Sequence, residues 1–210
     1  MIQASGRVLV FARAPVLGQV KTRIARDAGD EAALEVYLHL LDRTLQTVSD
    51  SGCAAELWIA GDGDHPIIRS WRQHSGWPVR RQQGDDLGAR MHHALVSALA
   101  EGEPALVVGV DCPGLRPAQL HQGLDALRGD DAVVFGPALD GGYYLVGLAQ
   151  PQPGLFQGVD WGTERVLEQS VELARQLRLE VTLLDPQADI DTWSDWLQQT
   201  KNNQPPMGGG

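Results

Sequence analysis

The side chains able to do chemistry in this 210-residue chain fall in a few short stretches. Segment 105–115, A-L-V-V-G-V-D-C-P-G-L, runs from small and β-branched apolar residues into Asp111, and Pro113-Gly114 breaks the chain directly afterwards. A carboxylate there either sits where open α/β sheets bind ligands, at the C-terminal end of a buried strand, or caps a turn. Further on, Asp189-Ile190-Asp191-Thr192 puts two carboxylates on one side of an extended chain. With Asp111 these offer the oxygen ligands that a hard cation takes, or they cap the helix that follows.

The loop over 13–22, R-A-P-V-L-G-Q-V-K-T, places Gly18 and Lys21 behind a first strand, with Arg23 next. A glycine, backbone donors and two cations suit a phosphate cradle; two solvated surface charges are the other reading. The spacing is neither G-x-x-x-x-G-K-[ST] nor G-x-G-x-x-G. In Q-Q-G-D-D-L-G-A-R-M, over 82–91, two amides able to read a base edge precede a glycine turn and Arg90, unless Arg90 only pairs with a carboxylate of a capped helix. In G-P-A-L-D-G-G-Y-Y, over 136–144, the glycines permit a backbone to approach a ligand closely and the tyrosines can stack or hydrogen-bond; a D-G hairpin turn would read the same way. Nitrogen or sulfur metal ligation is disfavoured, because His39, His65, His74, His92, His93 and His121 show no metal-ligand spacing and only Cys53 and Cys112 are present. No G-x-S-x-G elbow occurs.

The pattern around these residues predicts alternating strands and helices. Strands are expected over 7–12, 56–60, 78–82, 105–110, 132–135, 143–147 and 180–184. Helices are expected from Asp30 to Gly52, over 67–73, 89–100 and 117–127, from Thr163 or Glu164 to 177, and over 193–199. The long one carries Ala33, Leu34, Tyr37, Leu38, Leu41, Leu45 and Val48 at helical spacing, with Asp30 as its cap. Strands separated by helices mean βαβ units and a mostly parallel sheet. No repeat or linker divides the chain, so one domain is expected over 1–200, with a disordered tail over 201–210.

Composition narrows the partners. A net charge of −10 without a cluster of basic residues argues against nucleic acid and anionic membranes, while a nucleotide remains admissible because backbone amides, a few cations and a metal can hold phosphates. With 43% hydrophobic residues, no run approaching a membrane span and no signal-peptide pattern, a cytoplasmic protein is expected. Oligomeric state is not readable.

Taken together the motifs resemble one family. F-A-R-A-P-V-L-G-Q-V-K-T-R-I, Q-x-G-x-D-L-G-x-R-M, G-x-D-C-P-x-L, G-P-A-x-D-G-G-Y-Y-L-x-G-L, W-G-T and D-I-D-T occur in this order between Phe11 and Trp196. They are similar to those of the radical-SAM/selenodomain-associated transferase 1 family, also known as arsenosugar-biosynthesis-type glycosyltransferases. The resemblance implies the GT-A fold of nucleotide-diphospho-sugar transferases, a Rossmann-like α/β three-layer sandwich, in a superfamily that includes molybdenum-cofactor and phospholactate nucleotidyltransferases.

Carried over by position, it implies Mg²⁺ or Mn²⁺ at Asp111 and Asp191, with Asp189 a neighbour. It implies phosphate held by Lys21 and Arg23, and nucleotide along Ala12, Arg13, Ala14, Gly18, Gln83, Gly88 and Arg90. Asp140, Gly141, Gly142 and Tyr143 would line the sugar or acceptor side, with Trp161 and Thr163 in the acceptor pocket; Asp111, Lys21, Arg23 and Asp140 would carry the chemistry. The first loop has one glycine where sugar nucleotidyltransferases have several, and Asp111 is followed by Cys112-Pro113 in place of D-x-D. The expected activity is glycosyl transfer from an NDP-sugar to a small-molecule acceptor. The alternatives are nucleotidyl transfer from an NTP to a phosphorylated acceptor with release of pyrophosphate, and nucleotide binding without turnover.

Overall fold

A computed structural model describes residues 6–202. Its strands are β1 (Arg7–Arg13), β2 (Ala54–Ala60), β3 (Val79–Arg81), β4 (Ala105–Val108), β5 (Ala132–Pro137), β6 (Tyr143–Leu148) and β7 (Glu180–Leu183). The helices are α1 (Thr22–Ala28), α2 (Asp30–Ser51), α3 (Pro66–Ser75), α4 (Leu87–Leu99), α5 (Pro117–Asp125), α6 (Val166–Gln176) and α7 (Trp193–Asn202), with a short 3₁₀ turn at Pro153–Phe156.

The strands form one sheet in the order β3-β2-β1-β4-β6-β5-β7. Only β6 runs antiparallel, between β4 and β5. Alternation along β1 shows why the sheet is covered on both faces. Val8, Val10 and Ala12 pack with Tyr37, Leu41 and Leu45 of α2 and with Leu120 and Leu124 of α5. Leu9 and Phe11 pack on the other side with Met91, Ala94 and Leu95 of α4 and Ala174 of α6. Both faces are apolar, so helices must cover both, which gives the three-layer α/β sandwich expected from the sequence.

Strand order reverses between β1 and β4, and the crevice outside the carboxyl ends of two such strands is where open α/β sheets place ligands. A third apolar cluster, Ile24, Ala33, Val36, Leu40 and Ile190, joins α1 and α2 to the segment before α7. Burying Ile190 there carries its two aspartate neighbours to this crevice.

Several boundaries differ from expectation. The sequence pattern did not show α1, which has one buried residue, no acidic residue in its first turn and no capping side chain. Gly29, not Asp30, is the N-cap of α2. Helix α4 begins at Leu87, so Gly88 lies inside its first turn and not in the preceding loop. Helix α7 continues to Asn202, and the rest of the expected tail lies outside the described residues. Among the described residues no helix is long and apolar enough to cross a membrane.

Candidate functional site

The carboxylates come together through backbone ties between distant segments. The Ile190 N–H donates to the Asp111 carbonyl at 2.9 Å. Gln187 donates its N–H to the Pro137 carbonyl and accepts from Leu139 N–H. The first tie lays the D-I-D segment along the turn after β4; the second lays it along the extension of β5. As a result Asp140, Asp189 and Asp191 each present an oxygen within 4.8 Å of the others.

Local bonds hold Asp140 and the backbone at Asp191. Asp140 Oδ1 accepts from Gly142 N–H at 2.8 Å. An Asp195 carboxylate oxygen accepts from the N–H groups of Asp191 and Thr192 and from the Thr192 hydroxyl. Burial, then the negative charge of Asp140, pushes the Asp189 carboxyl up to about 6, and Asp191 adds to the shift. An all-oxygen set of this kind fits Mg²⁺ or Mn²⁺, both hard cations. Asp111 is not among the three: its Oδ1 lies 2.7 Å from Lys21 Nζ.

Lys21 is the N-cap of α1 and has left-handed backbone, φ 45° and ψ 48°. Its ammonium meets Asp111, the Ile190 carbonyl at 2.5 Å and Asp191 Oδ1 at 3.2 Å. Burial opposes its charge, but the two carboxylates outweigh burial and hold it protonated beyond the ordinary lysine range. Arg23 is open to solvent and touches Asp191 Oδ2 at 3.2 Å.

Behind them the first loop is anchored by residues whose role was not legible in the sequence. The Tyr37 hydroxyl accepts from Arg13 N–H at 2.7 Å and donates to the Arg13 carbonyl at 2.8 Å. The Gln82 amide donates to the Ala12 and Trp58 carbonyls, so this side chain ties β1 to β2 and is not spare for a base edge. Ala12 and Ala14 are buried, Arg13 is exposed, and Gly18 turns the loop at φ 73°.

Gln83 is exposed beside Gly84, and Arg90 Nε donates to the Gly84 carbonyl, bracing that turn rather than pairing with a carboxylate. Gly88 lies under the Trp161 indole so closely that any side chain there would displace the ring. Trp161 in turn meets Tyr143 edge to face, centroids 6.4 Å apart. Thr163 Oγ1 donates to the Asp160 carbonyl and accepts from Arg165 N–H, shaping the turn that carries Trp161.

The D-G-G glycines answer first to packing. At φ 90°, Gly141 faces the Glu164 backbone, where a Cβ would strike the carbonyl. Two groups therefore emerge, one of carboxylates and cations and one of aromatics, linked by Asp140-Gly141-Gly142-Tyr143. Cys112, beside the first group, is buried; burial and then the Asp189, Asp111 and Asp140 charges push its thiol far above its usual range, which leaves it protonated and a poor nucleophile.

Residues 43–163 match the family described as "Uncharacterized protein conserved in bacteria (DUF2064)". The chain belongs to this family. A solved structure of a proposed nucleotide-diphospho-sugar transferase from Desulfovibrio desulfuricans G20 is 32% identical, with a TM-score of 0.82 over 96% of this chain and 89% of that one. More distant structures share the fold. The 4-diphosphocytidyl-2C-methyl-D-erythritol synthase of Anaerococcus prevotii DSM 20548 is 12% identical, with a TM-score of 0.64 over 97% of this chain and all of that one. Rv0371c of Mycobacterium tuberculosis H37Rv, solved in complex with manganese, is 18% identical, with a TM-score of 0.58 over 95% and 98% of the two chains. No curated protein matches the sequence.

Proposed function

We propose that this protein is a metal-dependent transferase acting on a nucleotide-activated donor, and that it moves the glycosyl group of an NDP-sugar to a small-molecule acceptor. The observation that carries the reading is the convergence of Asp140, Asp189 and Asp191 beside Lys21 and Arg23 at the β1–β4 crevice. Asp140, Asp189 and Asp191 would hold Mg²⁺ or Mn²⁺, which supplies positive charge for the diphosphate oxygens. Arg23, exposed and lightly held, neutralises charge that grows on the departing nucleoside diphosphate. The anchored loop of Ala12, Arg13, Ala14 and Gly18 receives the nucleotide, with Gln83 and Arg90 flanking the nucleoside and Gly88 seating the Trp161 ring. Tyr143 and Trp161 give the sugar or acceptor an apolar wall with Thr163 at its edge. The 32% identity to a proposed nucleotide-diphospho-sugar transferase supports this reading, and the motif series supports a place near the radical-SAM-associated transferases.

Nucleotidyl transfer is the second reading, supported by the fold shared with the 4-diphosphocytidyl-2C-methyl-D-erythritol synthase. Turnover with Mn²⁺ decides between them, comparing NDP-sugars with NTPs plus phosphorylated acceptors and recording pyrophosphate. Glycosyl transfer or NDP-sugar hydrolysis without pyrophosphate from NTPs upholds the first reading. Pyrophosphate release dependent on Asp191 replaces it with the second.

A further inference from the structure

The geometry points to Lys21 as the internal counter-cation of the carboxylate site, a positioning residue and not a ligand of substrate phosphate. This inference rests on the reading of Asp140, Asp189 and Asp191 as a divalent-cation site. An ammonium has three N–H donors, and three acceptors surround this one: Asp111 Oδ1 at 2.7 Å, the Ile190 carbonyl at 2.5 Å and Asp191 Oδ1 at 3.2 Å. The side chain is 7% exposed. A phosphate could be bound only by giving up one of these contacts and drawing the charge out of its enclosure.

The backbone is arranged for the inward placement. Lys21 takes the left-handed conformation at the start of α1, which a residue with a Cβ adopts only at a cost. Arg23, two residues on, is 63% exposed with a single 3.2 Å carboxylate contact, and it is free to meet a phosphate.

Asp111, Asp140, Asp189, Asp191 and Asp195 outnumber the two cations, Lys21 and Arg23, which leaves a net negative charge for a divalent ion to neutralise. Lys21 and that ion draw on the same Asp191 carboxylate, so each weakens the hold of the other. Lys21 also engages Asp111, whose negative charge is left uncompensated once the ammonium is gone. Removing Lys21 therefore tightens ion binding, whereas removing a phosphate ligand would leave ion binding unchanged and weaken nucleotide binding.

The test is a Mn²⁺ titration without nucleotide, read by the electron paramagnetic resonance of the free ion, on the wild type, Lys21→Met and Arg23→Met. Lys21→Gln, which keeps hydrogen-bond donors but no charge, serves if Lys21→Met does not fold. The expected result is binding at least about tenfold tighter in the Lys21 variant, the scale of one unit charge removed at this range, with a smaller change in Arg23→Met. A second readout, melting temperature in EDTA, falls in the Lys21 variant and recovers on adding Mn²⁺. Equal or weaker Mn²⁺ affinity in the Lys21 variant overturns the inference, and so does equal tightening in Arg23→Met. If neither wild type nor variant binds Mn²⁺, the inference falls together with the cation-site reading, an outcome distinct from binding that ignores Lys21.

Discussion

Replacing Tyr37 by Phe removes one oxygen atom and, with it, both hydrogen bonds that hold Arg13 at the end of β1. The residue is 3% exposed, so the ring stays packed and only the hydroxyl is deleted. Each such bond contributes about 1 kcal/mol net, giving about 2 kcal/mol in all. For a chain of this length that lowers the melting temperature by about 4–8 °C. Calorimetry or urea unfolding measures the loss directly. Nucleotide affinity should fall as well, because Arg13 opens the loop that runs to Lys21, while Mn²⁺ binding at Asp140, Asp189 and Asp191 should stay as in the wild type. A melting temperature within about 1 °C of wild type would show that water replaces the hydroxyl and would refute the claim that Tyr37 anchors this loop.

Other outcomes follow from the same geometry. Gly141→Ala combines a backbone at φ 90° with a Cβ against the Glu164 carbonyl and should cost more than about 2 kcal/mol; Gly162→Ala, at φ 81° with open space around it, should cost only about 1 kcal/mol, and equal losses in urea unfolding would discount the clash. Asp189 must lose its proton to bind a cation, and its carboxyl titrates at about 6. Mn²⁺ affinity should therefore be flat above neutral pH and about tenfold weaker one unit below that value, and Asp189→Asn should abolish this slope; a titration series from pH 5 to 8 checks it. The ion-free protein shows the opposite sign: a raised aspartate contributes stability below its unfolded value that is lost as pH rises through about 6, so this group favours the fold slightly more at pH 5 than at pH 7.

Strands and helices that bury a regular face were legible from residue types alone. The run Ala105–Val108 is the middle strand of the sheet, and Tyr37, Leu41, Leu45 and Val48 do face the core. What escaped was held by contacts far apart in sequence. Helix α1 has a single buried residue, Ile24, so no period betrays it. The resemblance puts Asp140 on the sugar or acceptor side, whereas the bridge between Ala138 and Gln187 brings it beside Asp189 and Asp191. Gly88 looks like a turn residue until Trp161 is seen lying on it. Gln82 offers a free amide in the sequence, but the ends of β1 and β2 consume it. Residue types thus announced which groups were available, and long-range backbone ties decided how they were shared.

Whether a divalent cation at Asp140, Asp189 and Asp191 is needed to hold a nucleoside diphosphate is decided by calorimetry of nucleoside diphosphate binding with Mn²⁺ and with EDTA, in the wild type and Asp191→Asn. Binding in the wild type should depend on Mn²⁺ and be lost in Asp191→Asn. Equal affinity in EDTA, or Mn²⁺-dependent binding undiminished in Asp191→Asn, would contradict this.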